Sequence, residues 1–226
     1  MNIESLVSTI AIYALPVVFA ITLHEAAHGY VAKYFGDTTA FVLGRVSLNP
    51  MRHIDLVGTL VVPLVILLAT SWAGGRGMLF GWAKPVPVNY HALRRPRQHM
   101  MWVAAAGPAA NLAMALGWGL VLKLGVLAGV GPRSFVFEVA IAGVEVNVVL
   151  MLLNLLPILP LDGGRIVASL LPPRLSDRYA RLEPLGFPIL LALMFTNVLG
   201  VVMYPMVAGS IQLIVNALHL PLLGTL

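Results

Sequence analysis

The sequence predicts an all-α polytopic membrane protein with about five transmembrane helices. Of its 226 residues, 59% are apolar and only 10% are charged, whereas a soluble domain usually has about 25% charged residues. So few charges cannot cover a soluble globule of this length, and backbone polar groups in lipid are best paired within helices. The composition therefore excludes a soluble enzyme, a disordered regulator and a nucleic-acid-binding protein.

The apolar stretches give the predicted elements in chain order. The first span covers residues 6–23 and continues helically to Gly36. Four further apolar stretches follow, at residues 56–72, 100–126, 134–156 and 185–226. The last is long enough for a helical hairpin at about 184–223, with its turn near residues 200–205. We expect one membrane-embedded domain over residues 1–226, with its motifs between about residues 5 and 170.

One of these apolar stretches, and the segment that precedes it, are not expected to cross the bilayer. Residues 56–72 are short, contain Pro63 and are flanked by turn-rich sequence, which indicates a re-entrant or interfacial segment. Residues 37–55 contain short β-prone runs and predict a small β element at the membrane edge. This element either pairs with an extended peptide or is a passive connector, and the pattern favours neither.

The first predicted helix carries the pattern H-E-x-x-H as His24, Glu25 and His28. Positions i and i+4 share a helix face, so both imidazoles can reach one metal ion. Glu25 lies beside them and can accept a proton from water. The alternative is a pair of interface histidines with an acid in a polar cavity, but ionisable groups in a span are costly and usually functional.

A catalytic zinc ion needs a third protein ligand and keeps a further position open. Asp162 follows the apolar stretch 134–156, where Pro157 and Pro160 interrupt the helix and two glycines permit a sharp turn. Such a turn can direct the carboxylate towards a neighbouring helix, or Asp162 can simply cap the next helix. The other candidates for a third ligand are His53, Asp55, Glu138 and Glu145.

Five segments together resemble the site-2 proteases, in the short bacterial form without PDZ or CBS domains: HEAAHGYVA, GRVSLNPMRHID, FGWAKPVPVN, AAGPAANLA and NLLPILPLDGGR. The resemblance implies an intramembrane zinc endopeptidase that cuts in or near transmembrane segments of membrane proteins or signal-peptide-derived substrates. It implies one catalytic Zn²⁺ held by His24, His28 and Asp162, with Glu25 as the general base. It also implies that Asn154 and Asn111 help to hold the substrate or its transition state.

The positions of these motifs predict the topology. Both ligand sets lie near the C-terminal ends of their helices, so the two helices must run in the same direction. If residues 56–72 do not cross, Lys123 and Arg133 lie on one side and the other twelve of the 14 Lys and Arg lie on the opposite side. The positive-inside rule then predicts a multi-pass cell-membrane protein with its N-terminus outside and its active site nearer the cytosol.

A proton or metal-ion transporter is the alternative function, because it could use the same His, Glu and Asp side chains as a relay. Transport predicts ligands spread along a path through the bilayer and no need for Glu25 as a base. The spacing of H-E-x-x-H, with a distant Asp-Gly-Gly, favours the enzyme. The expected partners are the lipid bilayer and a transmembrane protein or peptide substrate.

Overall fold

The computed structural model describes residues 3–53, 55, 58, 61, 62, 65 and 84–220. These residues form eight α-helices and two short 3-10 turns, Pro50–Arg52 and Tyr90–Ala92. The helices are α1 Ile3–Tyr34, α2 Thr39–Val42, α3 Pro96–Leu127, α4 Phe135–Asn154, α5 Asp162–Leu170, α6 Pro173–Ala180, α7 Glu183–Phe195 and α8 Val198–Leu218. The predicted segment 56–72 lies almost entirely outside the described residues.

Four of the described helices are long and apolar enough to cross a membrane: Val7–Tyr34 within α1, and the whole of α3, α4 and α8. The 13 residues of α7 span only about 20 Å at ~1.5 Å per residue, less than the ~30 Å hydrocarbon core. The expected helical class is confirmed. Of the five predicted spans, four are found among the described residues, and the fifth is shorter than predicted.

The C-terminal hairpin forms, but its predicted turn is misplaced. The chain reverses at Thr196 and Asn197, and Asn197 adopts a left-handed conformation with φ 60°. Pro205, which suggested a turn, lies inside α8. A proline is tolerated within a membrane helix when its surroundings satisfy the freed backbone groups.

The predicted β element is wrong for the described part of residues 37–55, which forms α2, turns and a 3-10 turn and contains no strand. Side chains satisfy its backbone in place of a partner strand. The buried Asp37 carboxylate accepts hydrogen bonds from Thr39 N at 2.9 Å and from Asn89 N at 2.6 Å. Asn49 caps its own turn by accepting from Met51 N at 3.1 Å.

The long helices pack so that α1 and α4 run in the same direction. Helices α1, α3 and α4 contact one another, α5 packs on α3, and α8 packs on α4. Arg94 N donates to Phe35 O at 3.0 Å, so the segment between them begins and ends at one end of the bundle. Helix α3 then carries the chain to the other end, and α4 returns. This arrangement meets the requirement that the two ligand-bearing ends lie together.

Candidate metal centre

Three buried side chains converge where the end of α4 approaches α1. The Nε2 atoms of His24 and His28 are 3.1 Å apart, and Asp162 Oδ2 lies 3.2 Å from the first and 3.3 Å from the second. The three residues are between 7% and 9% exposed. Among the described residues, they are the one group of His, Asp and Glu side chains arranged to hold a metal ion.

The second ring nitrogen of each histidine has a fixed partner. Asn111 Oδ1 accepts from His24 Nδ1 at 2.6 Å, and the Val103 carbonyl oxygen accepts from His28 Nδ1 at 2.7 Å. Since both partner atoms are oxygens that can only accept, these contacts favour the tautomer with the proton on Nδ1, which leaves each Nε2 lone pair directed towards Asp162. Protein-bound metal ions commonly have histidine ligands oriented in this way.

The donor set fits a zinc ion. Three acceptors face one another, and Asp162 Oδ2 is buried with no hydrogen-bond partner among the described residues, an arrangement that a cation relieves. Ligands about 2.0 Å from a tetrahedral zinc ion lie about 3.3 Å apart. The three observed separations, 3.1 to 3.3 Å, agree with that spacing.

A glycine in α3 allows this close approach. A Cβ atom on Gly107 would lie 2.5 Å from both His24 Cε1 and His28 Nε2. Any larger side chain would therefore displace an imidazole. Gly107 lies within the segment AAGPAANLA, whose resemblance to the family gave this glycine no role of its own.

The loop from Leu155 to Leu161 directs Asp162 back to α1. Helix α4 ends at Asn154, and Asp162 is the first residue of α5. Tyr179 Oη donates to the Pro157 carbonyl oxygen at 2.8 Å, and burial raises the pKa of this hydroxyl. Gly163 is needed because a Cβ there would overlap the Leu155 carbonyl group. Asp162 is the first residue of α5, but Leu161 holds the N-cap position and no side-chain cap hydrogen bond forms. The Asp162 carboxylate faces the imidazoles instead.

A cavity of about 950 Å³ opens beside the three ligands, at the upper end of the usual range for ligand pockets. Glu25 and Asn154 line it together with apolar side chains from α1, α4 and α7. Glu25 Oε2 accepts from Val86 N at 2.8 Å, so this carboxylate contacts the segment formed by residues 84–89. Asn154 Nδ2 donates to Leu150 O at 3.0 Å, within its own helix.

Asn111 lies behind the ligands and away from the cavity lining. It is 0% exposed, and Asn111 Nδ2 donates to Asn147 Oδ1 at 3.0 Å and to Ala20 O at 3.4 Å. Its side chain contacts His24, Asn147 and Ala20, and Asn111 is not among the residues that line the cavity. Asn147, Val103 and Tyr179 were not singled out from sequence. Of these, Asn147 offered a signal, since it is a polar residue within an apolar span.

The other four candidate ligands are not part of this group. His53 Nε2 contacts Ser47 O at 2.7 Å, and Asp55 Oδ1 accepts from Gly58 N at 2.6 Å. Glu145 accepts from Tyr13 Oη at 3.0 Å. Glu138 lies in the first turn of α4, at the opposite end of that helix from Asn154.

Comparison with known proteins gives the family. The sequence model of the family described as peptidase family M50 matches residues 127–197. A Bacillus subtilis protein, YwhC, is 37% identical over 216 residues, which cover 92% of this chain and 93% of the relative. The chain belongs to peptidase family M50, the site-2 protease family.

Two further relatives agree with this assignment. Rip2 of Mycolicibacterium smegmatis is 32% identical over 80% of this chain and 65% of its own length. Rip3 of Mycobacterium tuberculosis is 44% identical over 33% of this chain and 19% of its own length. All three relatives bear the name "Putative zinc metalloprotease". No solved structure matches the chain significantly.

Proposed function

We propose that this M50 protein is an intramembrane zinc endopeptidase that cleaves peptide bonds in or near transmembrane segments of membrane proteins or signal-peptide-derived substrates. The convergence of His24, His28 and Asp162 beside a largely apolar cavity carries the proposal. His24 and His28 lie on a helix that qualifies as a membrane span. His24 lies ten residues before the end of α1, about 15 Å along the helix axis.

His24, His28 and Asp162 would hold the zinc ion. A bound zinc ion supplies Lewis acidity, which lowers the pKa of water towards neutrality and polarises a peptide carbonyl. Glu25 takes a proton from the attacking water and delivers it to the leaving nitrogen as the carbon–nitrogen bond breaks. The products are a carboxylate and an amine. Asn154 lines the same cavity and is proposed to hold the substrate backbone there.

A substrate helix must unwind locally before this chemistry, because its carbonyl oxygens accept hydrogen bonds within the helix. The cavity supports this step, since its lining combines apolar side chains with Glu25 and Asn154. The distribution of Lys and Arg supports an N-terminus outside the cell membrane and an active site nearer the cytosol. The transporter alternative has less support, because Asn111 and Asn147 behind the ligands are 0% exposed and bonded to protein groups.

The test compares zinc content with cleavage of a model transmembrane substrate, using the full chain in lipid nanodiscs. Glu25→Gln should retain zinc, because Glu25 is not among the converging ligands and the glutamine oxygen can still accept from Val86 N. Cleavage should fall by about 10²- to 10⁴-fold, the usual contribution of a general base.

Glu138→Gln is the matched control. It makes the same Glu-to-Gln change in the first turn of α4, at the end of that helix away from Asn154 and the cavity. It should retain both zinc and cleavage. Cleavage by Glu25→Gln at the wild-type rate would exclude the general-base role. Absence of both zinc binding and cleavage in the wild-type protein would refute the proposed function itself.

A further inference from the structure

Asn147 is a fully buried amide in the most apolar of the spans. Its side chain is 0% exposed, and α4 has higher mean hydropathy than the other candidate spans. Asn147 Nδ2 donates to Gly143 O, one turn earlier, at 2.8 Å. Burying an amide in such surroundings is costly unless its hydrogen bonds are made. The partner of the second polar atom, Asn147 Oδ1, is therefore informative.

That remaining contact leads to the metal centre. Because the Asn147 NH₂ group is directed at Gly143, its Oδ1 faces Asn111 and accepts from Asn111 Nδ2 at 3.0 Å. The Asn111 NH₂ group, which also contacts Ala20 O at 3.4 Å, is thereby turned away from the His24 imidazole, and Asn111 Oδ1 faces His24 Nδ1 at 2.6 Å. Each amide in this relay fixes the orientation of the next.

The direction of the relay matters for His24. A reversed Asn111 amide would present NH₂ to His24 Nδ1, which could then serve only as an acceptor. The ring proton would move to Nε2, the atom that faces His28 and Asp162. A protonated Nε2 cannot bind a metal ion.

We propose that Asn147 is a positioning residue: through Asn111 it holds His24 in the tautomer whose Nε2 is free for the metal. The metal-binding part of this inference rests on the proposed function. The tautomer part concerns the protein alone and can be measured without metal. His28 provides an internal reference, because its Nδ1 contacts the Val103 backbone carbonyl, which has no amide orientation to reverse.

The first test uses Asn147→Ser in the full chain, with ¹⁵N-labelled histidine and no metal. Serine can donate to the carbonyl one turn earlier, which satisfies the variant's own hydroxyl, but it is too short to replace Asn147 Oδ1 at Asn111. We expect wild-type His24 to carry its proton on Nδ1, and the variant to show a mixture of tautomers. The His28 signals should stay unchanged.

The second test measures zinc affinity by competition with a chelator. Asn147→Ser should weaken zinc binding about tenfold, the lower end of the effect of losing an outer-shell partner. Asn147→Asp should stay near the wild-type affinity, because a buried, protonated aspartate keeps an acceptor oxygen for Asn111 and a donor for Gly143. In an Asn111→Leu background, Asn147→Ser should have no further effect, since the relay is already broken.

Val148→Ala is the matched control for packing. Val148 is the next residue along α4, is 0% exposed and belongs to the apolar core. This variant should lower thermal stability and leave zinc affinity and the His24 tautomer unchanged.

An Asn147→Ser protein with wild-type tautomer and wild-type zinc affinity would overturn the inference. So would an equal loss of zinc affinity in Val148→Ala, because the effect would then come from packing. If wild-type protein shows the Nδ1 tautomer but binds no zinc and cleaves nothing, the proposed function fails and the tautomer comparison still decides the role of Asn147.

Discussion

The two sides of the metal centre are built differently. The rear wall, formed by Gly107, Asn111 and Asn147, is buried, and its polar side chains have specific partners on α1, α3 and α4. The cavity side, formed by Glu25, Asn154 and Arg165, lines the cavity of about 950 Å³. On that side Glu25 and Asn154 are only partly buried, and Arg165 forms a 3.6 Å ion pair with Glu183.

The difference separates two tasks. A rigid rear wall fixes the ligand atoms before any metal or substrate arrives, which lowers the cost of ordering them. Under the proposed function, an open cavity side leaves room for a substrate helix that must unwind before it is cut. Rear-wall changes should therefore weaken zinc binding, and cavity-side changes should reduce cleavage while zinc stays bound.

Removal of a ligand should have the largest effect. Asp162→Ala deletes the carboxylate that faces both Nε2 atoms, and we expect zinc affinity to fall by more than about 100-fold, beyond the range for outer-shell partners. Cleavage should become undetectable. Asp177→Ala, an exposed aspartate in α6, is the control and should behave as wild type. A zinc-loaded Asp162→Ala protein would contradict the ligand assignment.

A smaller effect is expected from the rear wall itself. Gly107→Ala places a methyl group within 2.5 Å of both imidazoles, so the rings must shift, and zinc affinity should fall about 10- to 100-fold. Gly117→Ala makes the same change on the same helix, where nothing lies within 4 Å of the new methyl group. Chelator competition on the two variants gives the comparison. Equal zinc affinities of the two variants would show that the imidazoles can shift without loss of metal binding.

Sequence predicted the elements whose causes are local. Helical periodicity placed His24 and His28 on one face, and the loop after α4, with its two prolines and glycines, brings Asp162 to them, as one of the alternatives required. Local pattern did not decide the predicted β element, because a strand needs a partner, and here Asp37 binds Thr39 and Asn89 instead.

Contacts between residues far apart in the chain could not be predicted from the sequence. The hydrogen bond from Val86 N to Glu25 joins residues 61 positions apart, and that from Asn111 to Asn147 joins residues 36 apart. Each depends on how the helices pack and not on the composition of either segment. The hairpin turn was misplaced for a related reason: Pro205 fits within α8, while Asn197 takes the left-handed conformation that reverses the chain.

Asn154 and Asn147 give the sharpest test of the two-sided description, because they lie seven residues, two helical turns, apart on α4. Asn154 lines the cavity and Asn147 does not. Asn154→Ala should lower kcat/KM about tenfold, since a lost hydrogen bond of about 1.4 kcal/mol corresponds to that factor.

Zinc affinity of Asn154→Ala should stay at the wild-type value, the reverse of the result expected for Asn147→Ser. Asn216→Ala is the control, because Asn216 is exposed on α8 and its Oδ1 accepts from Gln212, one turn away. Steady-state cleavage and chelator competition on the same preparations separate the two effects. If Asn154→Ala instead loses zinc while kcat/KM per bound zinc is unchanged, Asn154 belongs with the rear wall, and the boundary between metal binding and substrate binding must be moved to the end of α4.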